Sequence, residues 1–192
     1  MEKQWPQMII AMKGHPGTGK STLSRAISTC LQFPLIDKDD IRDNTLSLQS
    51  QYQIPPSTLN DLSYLVLWQI TETQLQLGLS VVIDSPHSRR ANLNKLVELA
   101  RAYGAHVVIV ECRPKDEREW RRRLEERARS GGDKGHKPAT WEEMGRIMEG
   151  YNGCWDYEIE DVKKIVVDTT ARDEQEKLVN MVIDFIKSSI VV

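Results

Sequence analysis

The sequence predicts a three-layer α/β fold: a five-stranded parallel sheet with helices on both faces and a helical lid at one end. Three observations predict it. Continuous apolar runs alternate with stretches of helical periodicity, as strands buried on both faces and their crossover helices do. A glycine-rich stretch, Gly14-His15-Pro16-Gly17-Thr18-Gly19-Lys20-Ser21-Thr22, joins the first apolar run to the first helical one. One insertion-like segment, at about 115–150, follows the fourth strand, where a lid would close over bound phosphate. A chain of 192 residues suits a single domain, 1–192, that includes this lid.

Residues 8–13, opening on Met8-Ile9-Ile10-Ala11-Met12, read as strand one, and 19–31 as helix one. Phe33-Pro34-Leu35-Ile36 is a short second strand, followed by Asp37-Lys38-Asp39-Asp40-Ile41-Arg42-Asp43. Residues 44–56 are polar and end in Pro55-Pro56, which predicts a loop or a broken helix. Ser57 is the expected N-cap of a long helix reaching about Leu77, with Leu62, Leu65, Val66, Gln69 and Ile70 near one face and Gly78 ending it. Leu79 to Ile83 is strand three, closed by Asp84. Leu93, Leu96, Val97 and Ala100 recur at helical spacing over 89–102, Gly104 stops that helix, and 105–110 is strand four. Residues 115–129 form a basic helix with the apolar stripe Trp120, Leu124 and Ala128. Residues 130–138 are a glycine-rich loop in which Gly131, Gly132 and Gly135 would supply the lid's flexibility. Thr140 and Glu143 predict a capping box for a helix to about Glu149. Strand five spans Val162 to Val167, and 173–189 is the closing helix.

Composition excludes several classes. A net charge of −2 gives no pull toward nucleic acid or an anionic membrane. No apolar run approaches the roughly 18 residues of a membrane span. Residues 1–7 carry no signal-peptide core. Cys30, Cys112 and Cys154 are odd in number and lack metal spacing, so buried, reduced thiols and a cytoplasmic location are expected.

The glycine stretch fits G-x-x-x-x-G-K-[S/T] in the strand–loop–helix context that gives the motif its meaning. Gly14, Gly17 and Gly19 let the backbone turn N–H groups inward toward phosphate oxygens. The following helix adds the positive end of its dipole. Lys20 supplies a mobile charge for the β- and γ-phosphates, and Ser21 a hydroxyl for Mg²⁺. Gly14, Gly17, Thr18, Gly19, Lys20, Ser21 and Thr22 thus form the expected nucleotide cradle, with ATP and Mg²⁺ as cofactors.

A second constellation follows strand two. Ligands of open α/β sheets lie at the carboxyl ends of the strands. A carboxylate there faces an acceptor across from the γ-phosphate, and Asp39 is the candidate base, with Asp37 second. Arg42 would hold a polar or anionic part of the acceptor. The plainer alternative is that these aspartates cap the next helix. Asp84 is a candidate for the Mg²⁺ side, acting through water. Arg89 lines the acceptor pocket or is a surface charge at a helix start.

With these residues in view, the chain resembles the P-loop kinase family, which includes polynucleotide 5′-hydroxyl kinases and zeta-toxin-type kinases. The resemblance implies a P-loop NTPase fold of the nucleoside-monophosphate-kinase type. It implies Asp39 as general base and Arg42 as ligand of an acceptor phosphate. Arg123 and Arg127 are similar to the family's lid Arg-x-x-x-Arg, and their spacing puts both on one helix face. Asp168-Thr169-Thr170 is similar to the family's segment near adenine, which implies Thr169 in nucleotide binding. Asp84-Ser85-Pro86-His87-Ser88-Arg89-Arg90 resembles a segment of adenylylsulfate kinases that lines the acceptor pocket.

The resulting expectation is an ATP- and Mg²⁺-dependent kinase acting on a hydroxyl of a small acceptor. A polynucleotide 5′-hydroxyl kinase and a nucleotide-dependent switch with weak ATPase activity are the alternatives. His15 reads as a variable loop position. Tyr151, Trp155 and Tyr157 read as packing of the core or lid hinge, and Trp141 as packing at a helix start or as a ring stacked on substrate. His136-Lys137-Pro138 has no counterpart in the resemblance; a His-Lys pair on a lid would be placed to touch substrate.

Overall fold

The computed structural model describes residues 6–132, 137–159, 161–171 and 175–189. Five parallel strands, β1 (Met8–Lys13), β2 (Leu35–Asp37), β3 (Val81–Asp84), β4 (His106–Cys112) and β5 (Lys163–Val167), lie in the order β2-β3-β1-β4-β5. β1 sits at the centre with every residue buried, which is why its run shows no polar alternation. The order changes direction beside β1, so the crevice for a ligand opens at its carboxyl end, where the glycine loop begins.

The helices are α1 (Lys20–Leu31), α2 (Lys38–Asp43), α3 (Leu46–Tyr52), α4 (Pro56–Gln76), α5 (Arg90–Tyr103), α6 (Glu117–Arg127), α7 (Trp141–Gly150) and α8 (Gln175–Ser188). A π-helical turn, Ala128–Gly132, extends α6. Two apolar clusters separate the layers. Met8, Ile10 and Met12 face Leu23 and Ile27 of α1 and Val182 and Ile186 of α8. Ile9 and Ala11 point the other way, into Leu67 and Leu75 of α4 and Leu93 and Leu96 of α5. This is the period-2 alternation of a central strand with both faces covered.

Several expectations need correction. The second strand is shifted to Leu35–Asp37, because Asp37 continues pairing opposite Asp84 before it caps α2. Of the two readings of 44–56, the broken helix holds: the segment contains a two-turn helix, α3. α4 starts at Pro56 with Pro55 as N-cap, not at Ser57; proline at the first helical position gives up only an N–H that would have no helical partner. Its buried face is Leu59, Ser63, Tyr64, Leu67, Thr71 and Leu75, whereas Leu62, Leu65 and Ile70 are exposed. Apolar residues surround this helix, so its period does not select a face. Ser63 and Thr71 occupy the buried stripe by donating their hydroxyls to the carbonyls of Leu59 (2.7 Å) and Leu67 (2.8 Å). Of the cysteines only Cys112 is buried; Cys30 and Cys154 are exposed free thiols. The Thr140–Glu143 capping box and the left-handed Gly104 after α5 match expectation. Among the described residues, no helix is long and apolar enough to cross a membrane.

Candidate active site

The loop between β1 and α1 turns through two left-handed glycines, Gly17 (φ 78°) and Gly19 (φ 81°), which side chains would strain. Gly14 is close-packed: a Cβ there would lie 2.8 Å from Thr18 Oγ1 and 3.2 Å from Cys112. Thr18 is fully buried and donates to the His15 carbonyl at 2.8 Å, so its side chain braces the loop from within. Ser21 and the exposed Thr22 line the cavity on the first turn of α1.

Lys20 forms an ion pair with Asp84, a buried carboxylate at the end of β3. Ser24, one turn after Lys20 on α1, donates to the other Asp84 oxygen at 3.0 Å. Burial disfavours the charged ammonium of Lys20, but the Asp84 charge and hydrogen bond, with Asp39 and Asp37 behind them, more than offset this and raise its pKa. Asp37 sits beside Asp84 in strand register. Burial and the Asp84 charge push its carboxyl up to about 6, against a hydrogen bond from the Asp39 amide. Among the described residues there is no cluster of three or more metal-ligating side chains. Ser21 and Asp84 fit Mg²⁺, which commonly keeps several waters and binds through one or two carboxylates and the substrate phosphates.

A cavity of about 2250 Å³ runs from the glycine loop to α2 and α4 and brings Lys20, Asp37, Asp39, Arg42, Arg89 and Thr169 to one space. Asp37 caps α2 by accepting from the Asp39 amide (2.9 Å), so the capping alternative holds for Asp37 while Asp39 faces the cavity. Lys38 Nζ lies 3.5 Å from Asp39 Oδ1, and Lys137 Nζ lies 2.8 Å from Asp39 Oδ2. Arg42 is only 2% exposed; its guanidinium donates to two neutral groups, Thr45 Oγ1 (3.0 Å) and Gln49 Oε1, and so ties α2 to α3. Arg89 stands exposed at the rim, as N-cap of α5.

The lid helix is seated on the glycine loop. Trp120 Nε1 donates to the Pro16 carbonyl at 2.8 Å, and Leu124 is the residue a Gly17 Cβ would strike first. Trp141 meets Trp120 edge-on at 5.0 Å, so it is a packing residue. Arg123 is held by Glu119 (2.8 Å) and by the Thr169 carbonyl (2.9 Å), with one terminal nitrogen 3.5 Å from where a Gly19 Cβ would be. Thr169 also donates its hydroxyl to the Thr18 carbonyl. Arg127 also lines the cavity and donates to the Pro138 carbonyl at 3.0 Å.

Sequence reasoning missed the underside of the loop. His15, read from the sequence as a variable loop position, stacks on Trp155, with ring centroids 3.5 Å apart, and lies near Tyr151 and Trp120. Burial, with Lys13 nearby, pulls its pKa down to about 4, so the ring is neutral at neutral pH. Lys13, 2% exposed, lies 3.2 Å from Glu111 and 4.2 Å from the Trp155 ring centre. The buried His87 has its pKa pulled down to about 3 by burial. Lys13 immediately precedes the loop, but nothing in the sequence marks Glu111 as its partner. Ser24 is legible as the helical neighbour of Lys20; Lys137 is legible as a lid residue placed toward substrate, but its partner Asp39 is not, because their meeting depends on the lid. Gly135 and His136 lie outside the described residues.

The fold and the loop define a P-loop nucleotide-binding domain of the kinase-like type. More particularly, the chain belongs to the AAA domain family AAA_33, whose model matches residues 9–150. Among solved structures, a kinase candidate from Chloroflexus aurantiacus superposes with a TM-score of 0.77 at 20% identity, covering 98% of this chain and 100% of its own. A gluconokinase from Sinorhizobium meliloti 1021 gives 0.63 at 19% identity, over 98% of this chain and 95% of its own. The Mycobacterium tuberculosis APS kinase CysC, solved with AMPPNP and APS, gives 0.61 at 14% identity, over 96% and 99%. At these identities the likeness is one of fold. No curated protein matches the chain in sequence.

Proposed function

We propose that this protein is an ATP- and Mg²⁺-dependent phosphotransferase acting on a hydroxyl group of a small acceptor in the cytoplasm. The carrying observation is that Asp39 and Lys20 line one cavity beneath a lid whose Lys137 meets Asp39 and whose Arg123 meets the Thr169 carbonyl beside the glycine loop. Phosphoryl transfer asks the protein for little covalent chemistry and much positioning. Gly14, Gly17, Gly19 and Lys20 would hold the triphosphate; Ser21 and Asp84 would hold Mg²⁺, which would supply positive charge against the phosphates. Thr169, tied to the loop, helps seat the nucleotide. Asp39 accepts the hydroxyl proton, while Asp37 shapes α2 behind it. Arg89 faces the acceptor from the rim, while Arg42, committed to Thr45 and Gln49, stiffens the α2–α3 wall of the cavity. Arg123 touches the loop where charge develops, and Arg127 steadies the lid. Kinases in the gluconokinase and APS kinase structures share this fold, which supports the reading.

Acceptor-dependent ADP release, screened over sugars, nucleosides and short oligonucleotides, tests it. A base acts mainly in the transition state, so Asp39→Asn leaves nucleotide affinity near wild type and lowers kcat by roughly 10²–10⁴. Full kcat in Asp39→Asn but loss in Asp37→Asn transfers the role to Asp37. ATP consumption that no acceptor stimulates would make the protein a slow nucleotide switch.

A further inference from the structure

Both oxygens of Asp39 are met by ammonium groups, and the two have different origins. Lys38 belongs to α2 itself. It is buried, and its Nζ also donates to Asn60 Oδ1 of α4 at 3.2 Å, so it is part of the acceptor wall. Lys137 comes from the far side of the cavity, between α6 and α7. Its surroundings hold it there. Arg127 donates to the carbonyl of the next residue, Pro138, and the amide of Ala139 donates to Glu143 Oε2 at 2.7 Å, within the cap of α7. The Lys137–Asp39 pair therefore links lid to core directly above the candidate acceptor seat.

The position has a chemical consequence. An acceptor hydroxyl that gives its proton to Asp39 must first donate a hydrogen bond to one of its oxygens. On Oδ2 that place is taken by Lys137. When a hydroxyl takes it instead, a compact cation on a flexible four-carbon stem is released over the cavity. The nearest developing negative charge is then the phosphoryl group in flight between Lys20 and the acceptor. Arg123 and Arg127 already have carbonyl partners on the protein, at Thr169 and Pro138.

We propose that Lys137 is a catalytic residue of this site: it latches the lid to Asp39 in the substrate-free protein and moves onto the transferring phosphoryl group, whose charge competes with Asp39 for the ammonium with or without an acceptor hydroxyl on Asp39. This rests on the kinase reading above. In the step itself, the acceptor oxygen forms a bond to the γ-phosphorus, and the bond from that phosphorus to the bridging oxygen of ATP breaks, its electron pair leaving with ADP. The acceptor proton passes to Asp39. Lys137 keeps its protons throughout and offsets charge on the phosphoryl oxygens.

The test compares binding of MgADP with that of MgADP–aluminium fluoride, a mimic of the phosphoryl group in transfer, by calorimetry on the full chain. Lys137→Met keeps MgADP affinity within about twofold and weakens the fluoride complex by about 10–100-fold, the scale of a hydrogen bond to a charged group. Lys137→Gln, which keeps polarity without charge, gives the same result and guards against a packing defect. Asp39→Asn opens the latch from the other side and tightens the fluoride complex several-fold. Opposite signs for the two partners of one ion pair are what a structural bridge cannot give; it would lower both melting temperatures and shift both affinities alike. Fluoride binding unchanged in both lysine variants, or no gain from fluoride in wild type that binds MgADP, overturns the role of Lys137 and leaves the kinase reading standing. Wild type that binds neither ligand overturns both.

Discussion

Two lysine–carboxylate pairs flank the phosphate loop, and they contrast in everything except their chemistry. Lys13 closes β1 just before the loop and pairs with Glu111, its register partner on β4. Lys20 opens α1 just after the loop and pairs with Asp84 on β3. Around Glu111 the cations are in excess: Lys13, Arg113 and Lys164 all reach it, and the rings of Trp155 and Tyr157 cover Lys13. Around Lys20 the carboxylates are in excess, with Asp84, Asp37 and Asp39 all acting on its charge. The first pair has no opening to a ligand. The second faces a cavity, and its surplus of negative charge suits a divalent cation. A buried ion pair is thus scaffold or machinery according to what can reach it.

The largest effect expected from breaking this comparison is in Lys20→Ala. The Ser24 bond to Asp84 remains, so the protein folds, while ATP affinity and turnover fall by roughly 10²–10³. Calorimetry and ADP release measure both; unchanged values would place Lys20 with Lys13 as scaffold. The converse variant, Lys13→Met, acts on the fold. Breaking a buried pair costs about 3–5 kcal/mol, and the low end is expected because Arg113 and Lys164 still face Glu111. Urea unfolding gives the value. Nucleotide affinity lost with stability intact would erase the contrast.

The smallest effect sharpens it through pH. Asp37, with its carboxyl near 6 against an ordinary 3.8, keeps its proton in the folded state where the unfolded chain has lost it. Its stabilising contribution is therefore present below about pH 4 and disappears as pH rises through about 6. Asparagine caps a helix as well as aspartate and carries no charge. Wild type should lose on the order of 2 kcal/mol relative to Asp37→Asn between pH 4 and 7, a few degrees of melting temperature. Parallel melting curves for the two would mean that burial and the Asp84 charge do not raise the Asp37 carboxyl.

What the sequence made legible follows the range of the forces involved. The strand order's consequence, a ligand crevice at the glycine loop, is carried by local apolar runs and a nine-residue motif. The capping box at Thr140 and the buried face of α5 are equally local. The face of α4 was not legible, because its buried Ser63 and Thr71 hide among polar residues in any hydropathy count. Nor was the stack of His15 on Trp155, two residues 140 positions apart whose meeting depends on the whole lid. Lys137 belongs to the same kind: a lysine in a polar loop carries no local sign that a carboxylate near position 39 awaits it.

The two apolar clusters on opposite faces of the sheet have a consequence for descent. The glycine loop is anchored in the α1–α8 layer, whereas α4 and α5, beside the proposed acceptor seat, are rooted in the other layer. A lineage can rewrite the α4 side, residue by residue, while the heirloom half keeps its packing. On the kinase reading proposed above, a change of acceptor is thus a change of one layer, and sister proteins with other acceptors should diverge there first.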